Sequence, residues 1–284
     1  MATATENHSR DTTPPTEHHK GFHPVHIDPS PLSHARSNNE LRLAAFGGEY
    51  QPGLYRPPPR KIANPAPLGL SCFGLTTFIL SLINIGARGV HHPNIVVAVA
   101  YAYGGLVQLL SGMWEFAAGN TFGATALSSY GGFWISFGII LTPGGFEIVE
   151  GLEAKGVDQF YNSFGFFLTA WIIFTTMLLI LTLRSTLAFF MLFFTLDIAF
   201  CCLAAGYFNF DEAGPNATCI KVGGWFGVIA AFLAWYNAFA GMADDTNSFF
   251  VAPVMHFPWS EKAKERNAQA TADLENGVHG TKSD

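Results

Sequence analysis

Apolar residues in this chain gather into six long stretches, near 67–87, 95–118, 122–142, 163–183, 186–207 and 223–243. Each is close to the ~20 residues that an α-helix needs to cross bilayer hydrocarbon. Continuous apolar sequence of that length predicts a membrane-spanning helix. The breaks carry turn chemistry: Arg88-Gly89 with His91-His92-Pro93, then Gly119-Asn120, Pro143-Gly144-Gly145, Arg184-Ser185 and Gly214-Pro215. The pattern therefore predicts an all-α integral membrane protein, a six-transmembrane-helix bundle over residues 61–245. Polar tails flank it at 1–60 and 246–284.

The tails change the picture little. The first is rich in His, Pro, Ser and Thr, and the end of the second in Lys, Glu and Ala. Neither could bury enough apolar surface to offset the entropy of ordering it, so both are expected to be solvated and disordered, the second after a short helix from about residue 260. No apolar h-region precedes the first stretch, so insertion is expected to rely on that stretch itself. Glu6, Asp11 and Glu17, set against few arginines, argue against a mitochondrial transit peptide. Lys and Arg counts then orient the bundle. With both ends inside, the cytoplasmic flanks hold Arg56, Arg60, Lys61, Arg184, Lys262, Lys264 and Arg266, and the outer loops only Arg88, Lys155 and Lys221. That bias favours cytoplasmic termini and places Asn216-Ala217-Thr218, a glycosylation sequon, outside.

Composition agrees: 49% of the 284 residues are hydrophobic and 13% charged, too apolar for an average soluble domain. The net charge of −6 lies in loops and tails, and no basic patch suggests nucleic acid. All ten histidines also fall in tails or loops, which argues against haem or histidine-held di-iron chemistry within the membrane. No P-loop, nucleophile elbow or HExxH motif occurs, and the four cysteines form no metal-binding spacing. The sequence gives no sign of an enzyme, a cofactor or a metal.

The chemistry worth weighing lies inside the stretches. In the second, Tyr101, Gln108 and Glu115 recur every seven residues, which on a regular helix puts them on one face. In the third, Thr121, Thr125, Ser129, Gly132 and Ser136 form a stripe, and in the first Thr77, Ser81 and Asn84 do the same. Such hydroxyls and amides can replace part of a small anion's hydration without a fixed cation to trap it. They also suit interhelical hydrogen bonds, worth ~0.6 kcal/mol each in membranes. Asp197 sits within the apolar fifth stretch, where insertion of an Asp costs ~2.5–3.5 kcal/mol. A proton relay and a bond across a helix interface would both retain it. Glu115, just before Asn120, is placed to hold the Gly119-Asn120-Thr121 turn or to gate a pore mouth. Gly104-Gly105, Gly131-Gly132 and Gly223-Gly224 allow close helix packing, and with it an oligomer.

The first stretch opens on Asn64-Pro65-Ala66-Pro67-Leu68-Gly69-Leu70. Proline fits a first helical turn, and Asn64 stands where an N-cap would. A proline-rich linker, like Pro57-Pro58-Pro59 upstream, reads equally well from local physics. This segment, followed by Tyr103-Gly104-Gly105 with Gln108 and Glu115, and then by Gly119-Asn120-Thr121-Phe122-Gly123 with Thr125-Ala126, Ser129-Tyr130-Gly131 and Phe133-Trp134, resembles the acetate uptake transporter family. That family is also called the succinate–acetate permease family, and the long first tail is similar to its fungal branch. The resemblance implies a plasma-membrane transporter of acetate and other small carboxylates, as a proton symporter or an anion channel. It further implies six-helix protomers, each with its own pore, assembled as hexamers. An ammonium or ammonia transporter and a non-transporting sensor are the alternatives. By resemblance, Phe73, Tyr130 and Leu196 form a hydrophobic ring that gates by dewetting. The expected path comprises these three with Asn64, Gln108, Glu115, Asn120, Thr121 and Thr125, and Asp197 is the proton-relay candidate.

Overall fold

The structure, a computed structural model, describes residues 62–244, 246–250, 252–260, 263–269 and 271. The tail at 1–60, most of the tail beyond 260, and Arg56, Arg60, Lys61 and Lys262 of the orientation argument lie outside the described residues. Among those described, six helices are long and apolar enough to cross a membrane. They are α1 (Ala66–Asn84), α2 (Asn94–Ala118), α3 (Thr121–Leu141), α4 (Val157–Leu181), α5 (Leu187–Phe208) and α6 (Ala217–Met242). A short helix, Ile148–Glu153, fills the α3–α4 connection.

Two helices start about six residues earlier than hydropathy alone predicts, α4 at Val157 and α6 at Ala217. The added turns are polar, so an apolar count misses them. Asp158 lies in the first turn of α4, where a carboxylate complements the helix dipole. Asn216 caps α6, its side chain accepting the Cys219 N–H at 3.1 Å.

α1 packs on α6 and α2, α6 on α5, α5 on α4, and α2 on α3. Glycine permits the closest approach. A Cβ on Gly112 of α2 would lie 2.5 Å from the Ser128 backbone nitrogen of α3, closer than real Cβ contacts come. α2 is not uniform, because Ala102–Val107 form a π-helical turn. The wider turn changes the register by roughly 100° relative to an unbroken α-helix. Tyr101 is consequently 36% exposed, with its hydroxyl on Thr142 Oγ1 at 3.0 Å, while Gln108 and Glu115 are buried. The sevenfold stripe expected from the sequence is thus split, and Tyr101 leaves it.

After α6 the chain folds back across the α4–α5 turn. Leu187 N–H donates to Met255 O at 2.9 Å, and Trp259 Nε1 to Leu183 O at 2.7 Å. Phe257 meets Phe190 edge-on, and the Tyr236 hydroxyl donates to Pro253 O. The start of the second tail is therefore docked on the bundle, at the end where α1, α3 and α5 begin.

Candidate transport path

Among the described residues, two cavities that share lining residues lie within the bundle. The larger, about 310 Å³, lies toward the end where α1, α3 and α5 begin, and Ala66, Gln108, Asn120, Ser185 and Phe189 are among its walls. The smaller, about 90 Å³, lies toward the other end, with Thr77, Ser81 and Asn84 of α1 facing aromatic residues of α3 to α5. Phe73 and Leu196 belong to both linings and so stand between them. Tyr130 joins them from α3, its ring centroid 5.7 Å from that of Phe73. All three are about 5% exposed or less. Phe73, Tyr130 and Leu196 thus form an apolar neck where the two cavities meet, and an apolar constriction of this kind disfavours a hydrated solute.

Among the described residues, neither lining contains a Lys, Arg, His, Asp or Glu. In the larger cavity the polar groups are few, and Gln108 is the most unusual. Its side chain is fully buried, and neither Oε1 nor Nε2 has a hydrogen-bond partner. A buried amide left unpaired costs roughly 1–3 kcal/mol for each group. Gln108 is among the residues that line the larger cavity, and its amide can both donate and accept, which suits a solute that does both.

Asn120 forms the rim. Its Oδ1 accepts the Gly123 N–H at 3.0 Å, an N-cap for α3, and its Nδ2 donates to Glu115 Oε2 at 2.6 Å. Gly119 ends α2 in the left-handed region at φ 81°, and Asn120 N–H returns to Glu115 O at 2.9 Å. Glu115 is 1% exposed and lies behind Asn120 rather than in the cavity wall, with Oε1 unpaired. Gly123 completes the cluster, since a Cβ there would sit 2.9 Å from Glu115 Oε2 and closer still to Asn120 Nδ2.

Asn64 is exposed and outside both linings. Its Oδ1 accepts the Ala66 N–H at 3.1 Å, although Pro65 occupies the N-cap position, so Asn64 satisfies the helix start from one residue further back. Ser111 Oγ of α2 donates to Pro65 O at 2.7 Å and ties the same start to the bundle.

Four residues of the expected path line neither cavity: Asn64 and Glu115, and with them Thr121 and Thr125. Thr121 and Thr125 are exposed. The buried face of α3 is set by Ala124, Leu127, Tyr130, Phe133 and Trp134, and the hydroxyl stripe with Gly132 falls on the opposite side. Asp197 is also absent from both linings; it accepts Thr176 Oγ1 at 2.9 Å across the α4–α5 interface. That is the interfacial bond the sequence left open beside a relay, although Oδ1 stays buried without a partner. Sequence reading missed Thr175, Thr176 and Ser185. The first two look like ordinary span hydroxyls, and Ser185 looks like a loop residue.

Residues 46–259 match the model of the GPR1/FUN34/yaaH family. The chain is similar to Acetate permease A of Emericella nidulans, 63% identical over 240 residues that cover 83% of this chain and 80% of the relative. It is similar to the Succinate-acetate/proton symporter SatP of Escherichia coli, 37% identical over 68% of this chain and 96% of the relative. Among solved structures, the bacterial acetate channel SatP superposes with a TM-score of 0.57 at 34% identity, covering 68% of this chain and 99% of that one.

Proposed function

The chain belongs to the GPR1/FUN34/yaaH family, and from that premise we propose that it transports acetate and related short-chain carboxylates through a path within each protomer. The observation that carries the proposal is the pair of cavities in line, with Phe73 and Leu196 common to both. A short acid suits this path. Its carboxyl group can exchange hydrogen bonds with Gln108 and Asn120 in the first chamber, and its methyl group can lie against Phe73, Tyr130 and Leu196 at the neck. Thr77, Ser81 and Asn84 then offer hydroxyls and an amide in the second. Weak sites in succession let a solute enter and leave, as conduction requires.

The carboxylate is proposed to cross with a proton. Burial of an ionised carboxylate without a partner is very costly, and neither lining offers a cation. Asp197, with one unpaired oxygen, is the candidate within the bundle for carrying that proton. Glu115 acts by holding the rim, and Asn64 by fixing the start of α1, whose Ala66 and Leu70 line the first chamber. The proposed setting is the plasma membrane, with the end where α1, α3 and α5 begin facing the cytoplasm, as the Lys and Arg bias supports. Self-association, as a hexamer by family resemblance, would use the outward face of α3. There Thr121 and Thr125 are exposed and a Cβ on Gly132 would meet nothing within 4 Å, a small, polar face suited to close helix contact.

Uptake of labelled acetate into proteoliposomes, with and without an imposed pH gradient, tests the proposal. Saturable uptake that an inward proton gradient drives above equilibrium is expected. Uptake no faster than into protein-free vesicles would refute transport, and gradient-independent uptake would refute the proton.

A further inference from the structure

Tyr130 is the one neck residue with a polar atom, and that atom is tied down. Its hydroxyl lies 2.9 Å from Thr175 Oγ1 of α4, and Thr175 is fully buried. The next residue, Thr176, donates to Asp197 of α5 at 2.9 Å. One turn of α4 therefore reaches the α3 member of the neck with one hydroxyl. With the other it is pinned to α5 immediately beside Leu196. Neither threonine lines a cavity.

Packing alone does not fix the ring so closely. Tyr130 is surrounded by Phe73, Trp171, Phe174 and Phe193 at centroid distances of 5.7 to 6.3 Å. Aromatic contacts of this kind are spread over several geometries of similar energy, whereas a hydrogen bond in an apolar interior selects one. A tyrosine hydroxyl buried without a partner is costly. If Thr175 could not receive it, the polar side chains of the cavity lining, Gln108, Asn120, Thr182 and Ser185, would offer relief on the chamber side. The ring would then turn out of the neck.

We infer that Thr175 is a positioning residue that holds Tyr130 in the neck and thereby sets the largest acid that passes. The inference rests on the reading of the two cavities as a carboxylate path, and it adds a determinant of substrate size that touches no substrate.

The test measures uptake of labelled acetate and of labelled lactate or succinate by the full chain in proteoliposomes, for wild type, Thr175→Val, Thr175→Ser, Tyr130→Phe and the double variant Thr175→Val/Tyr130→Phe. Thr175→Val keeps the shape and removes the hydroxyl. The ratio of bulkier acid to acetate should rise roughly fivefold, the population change expected from loss of one ordinary hydrogen bond. Thr175→Ser should restore the wild-type ratio. Tyr130→Phe removes the same bond from the other side, so the double variant should exceed neither single variant. A merely structural threonine would lower the uptake of both acids together and leave the ratio alone, which would overturn the inference. So would additive single effects. Should Thr175→Val fail to insert, an unchanged ratio in Tyr130→Phe overturns it equally. Absence of acetate uptake by the wild type would instead bring down the transport reading itself, and this inference with it.

Discussion

Replacing Asn120 by Ala should destabilise the bundle by about 3 kcal/mol, because one side chain holds two different structures together. Its oxygen caps α3 through the Gly123 N–H at 3.0 Å, and loss of such a cap costs ~1 kcal/mol. Its nitrogen supplies the hydrogen bond of 2.6 Å to Glu115, a side chain only 1% exposed whose other oxygen is already unpaired. Removing a partner from a buried carboxyl group costs a further ~1.5–3 kcal/mol. For a domain of this size the sum corresponds to a fall of roughly 6–12 °C in melting temperature. The assay is thermal unfolding of the purified protein in detergent, followed by size-exclusion chromatography. Two companions separate the components. Asn120→Ser keeps a capping oxygen but lacks a donor that reaches Glu115, so it should fall between wild type and Asn120→Ala. Asn120→Asp keeps the cap and sets a second carboxyl group against Glu115, so it should melt no higher than Asn120→Ala. The reasoning is refuted if Asn120→Ala melts within about 2 °C of wild type, or if Asn120→Asp does.

Further outcomes follow from the path. Leu196→Ala, or Phe73→Ala, joins the chambers of about 310 and 90 Å³ and should admit bulkier acids such as lactate or succinate; an unchanged substrate range in a well-inserted Leu196→Ala/Phe73→Ala protein would count against the neck. Gln108→Leu fills the amide's place with an apolar group of similar size, so acetate uptake should fall at least tenfold while the melting temperature holds or rises; undiminished uptake would remove Gln108 from the path. Asp197→Asn keeps the acceptor for Thr176 and cannot titrate, so gradient-driven accumulation should vanish while downhill exchange survives, and wild-type accumulation between about pH 5 and 7 would exclude the relay. Beyond α6, hydrogen bonds from Thr246 Oγ1, Thr246 N–H and Asn247 N–H hold the Asp244 carboxyl below the usual carboxylate range. The lowered value stabilises this turn above the unfolded Asp pKa of ~3.9 and withdraws that support as pH falls through the folded value, so NMR titration of Asp244 should give a midpoint below that of a free peptide with the same sequence.

What the sequence made legible, and what it hid, divides along a physical line. The number of spans was readable because hydrocarbon thickness imposes a length on any helix that crosses it, and all six predicted stretches coincide with helices. Facing was not. In a soluble bundle the polar side of a helix is the outer side, but here both the outside and the inside of the protomer are apolar, so hydropathy carries no sign. The α3 hydroxyls and the α1 hydroxyls form equally good stripes in sequence, yet Thr77 and Ser81 are buried at the second chamber while Thr121 and Thr125 point outward. In α2 the stripe fails for another reason: a π turn spanning the Gly104-Gly105 pair, with a Cβ on Gly104 ruled out by Thr76 at 2.5 Å, shifts Tyr101 away from Gln108. A glycine pair in a span signals close approach, but nothing in residue identity announces an extra residue in the turn.

The same ambiguity explains why the most informative side chains are the unsatisfied ones. Thr76 bonds Cys72 O, Ser111 bonds Pro65 O, and Thr195 bonds Met191 O, so each hydroxyl is spent within the fold. Gln108 is more deeply buried than Ser111 and Thr195, and both of its polar atoms are free. In water that difference would mean little. In a membrane interior an unpaired polar group has no bulk solvent to turn to, so a side chain without a partner among the described residues stands to gain from pairing with a solute. A carboxylic acid supplies an acceptor and a donor together, and the neck of Phe73, Tyr130 and Leu196 gives its methyl group an apolar surface one step further on. Polar capture followed by apolar passage therefore selects for a molecule with both ends and little between them. On the proposed transport reading this favours short acids such as acetate, and the width of the neck, rather than the strength of binding at Gln108, should decide what else is carried.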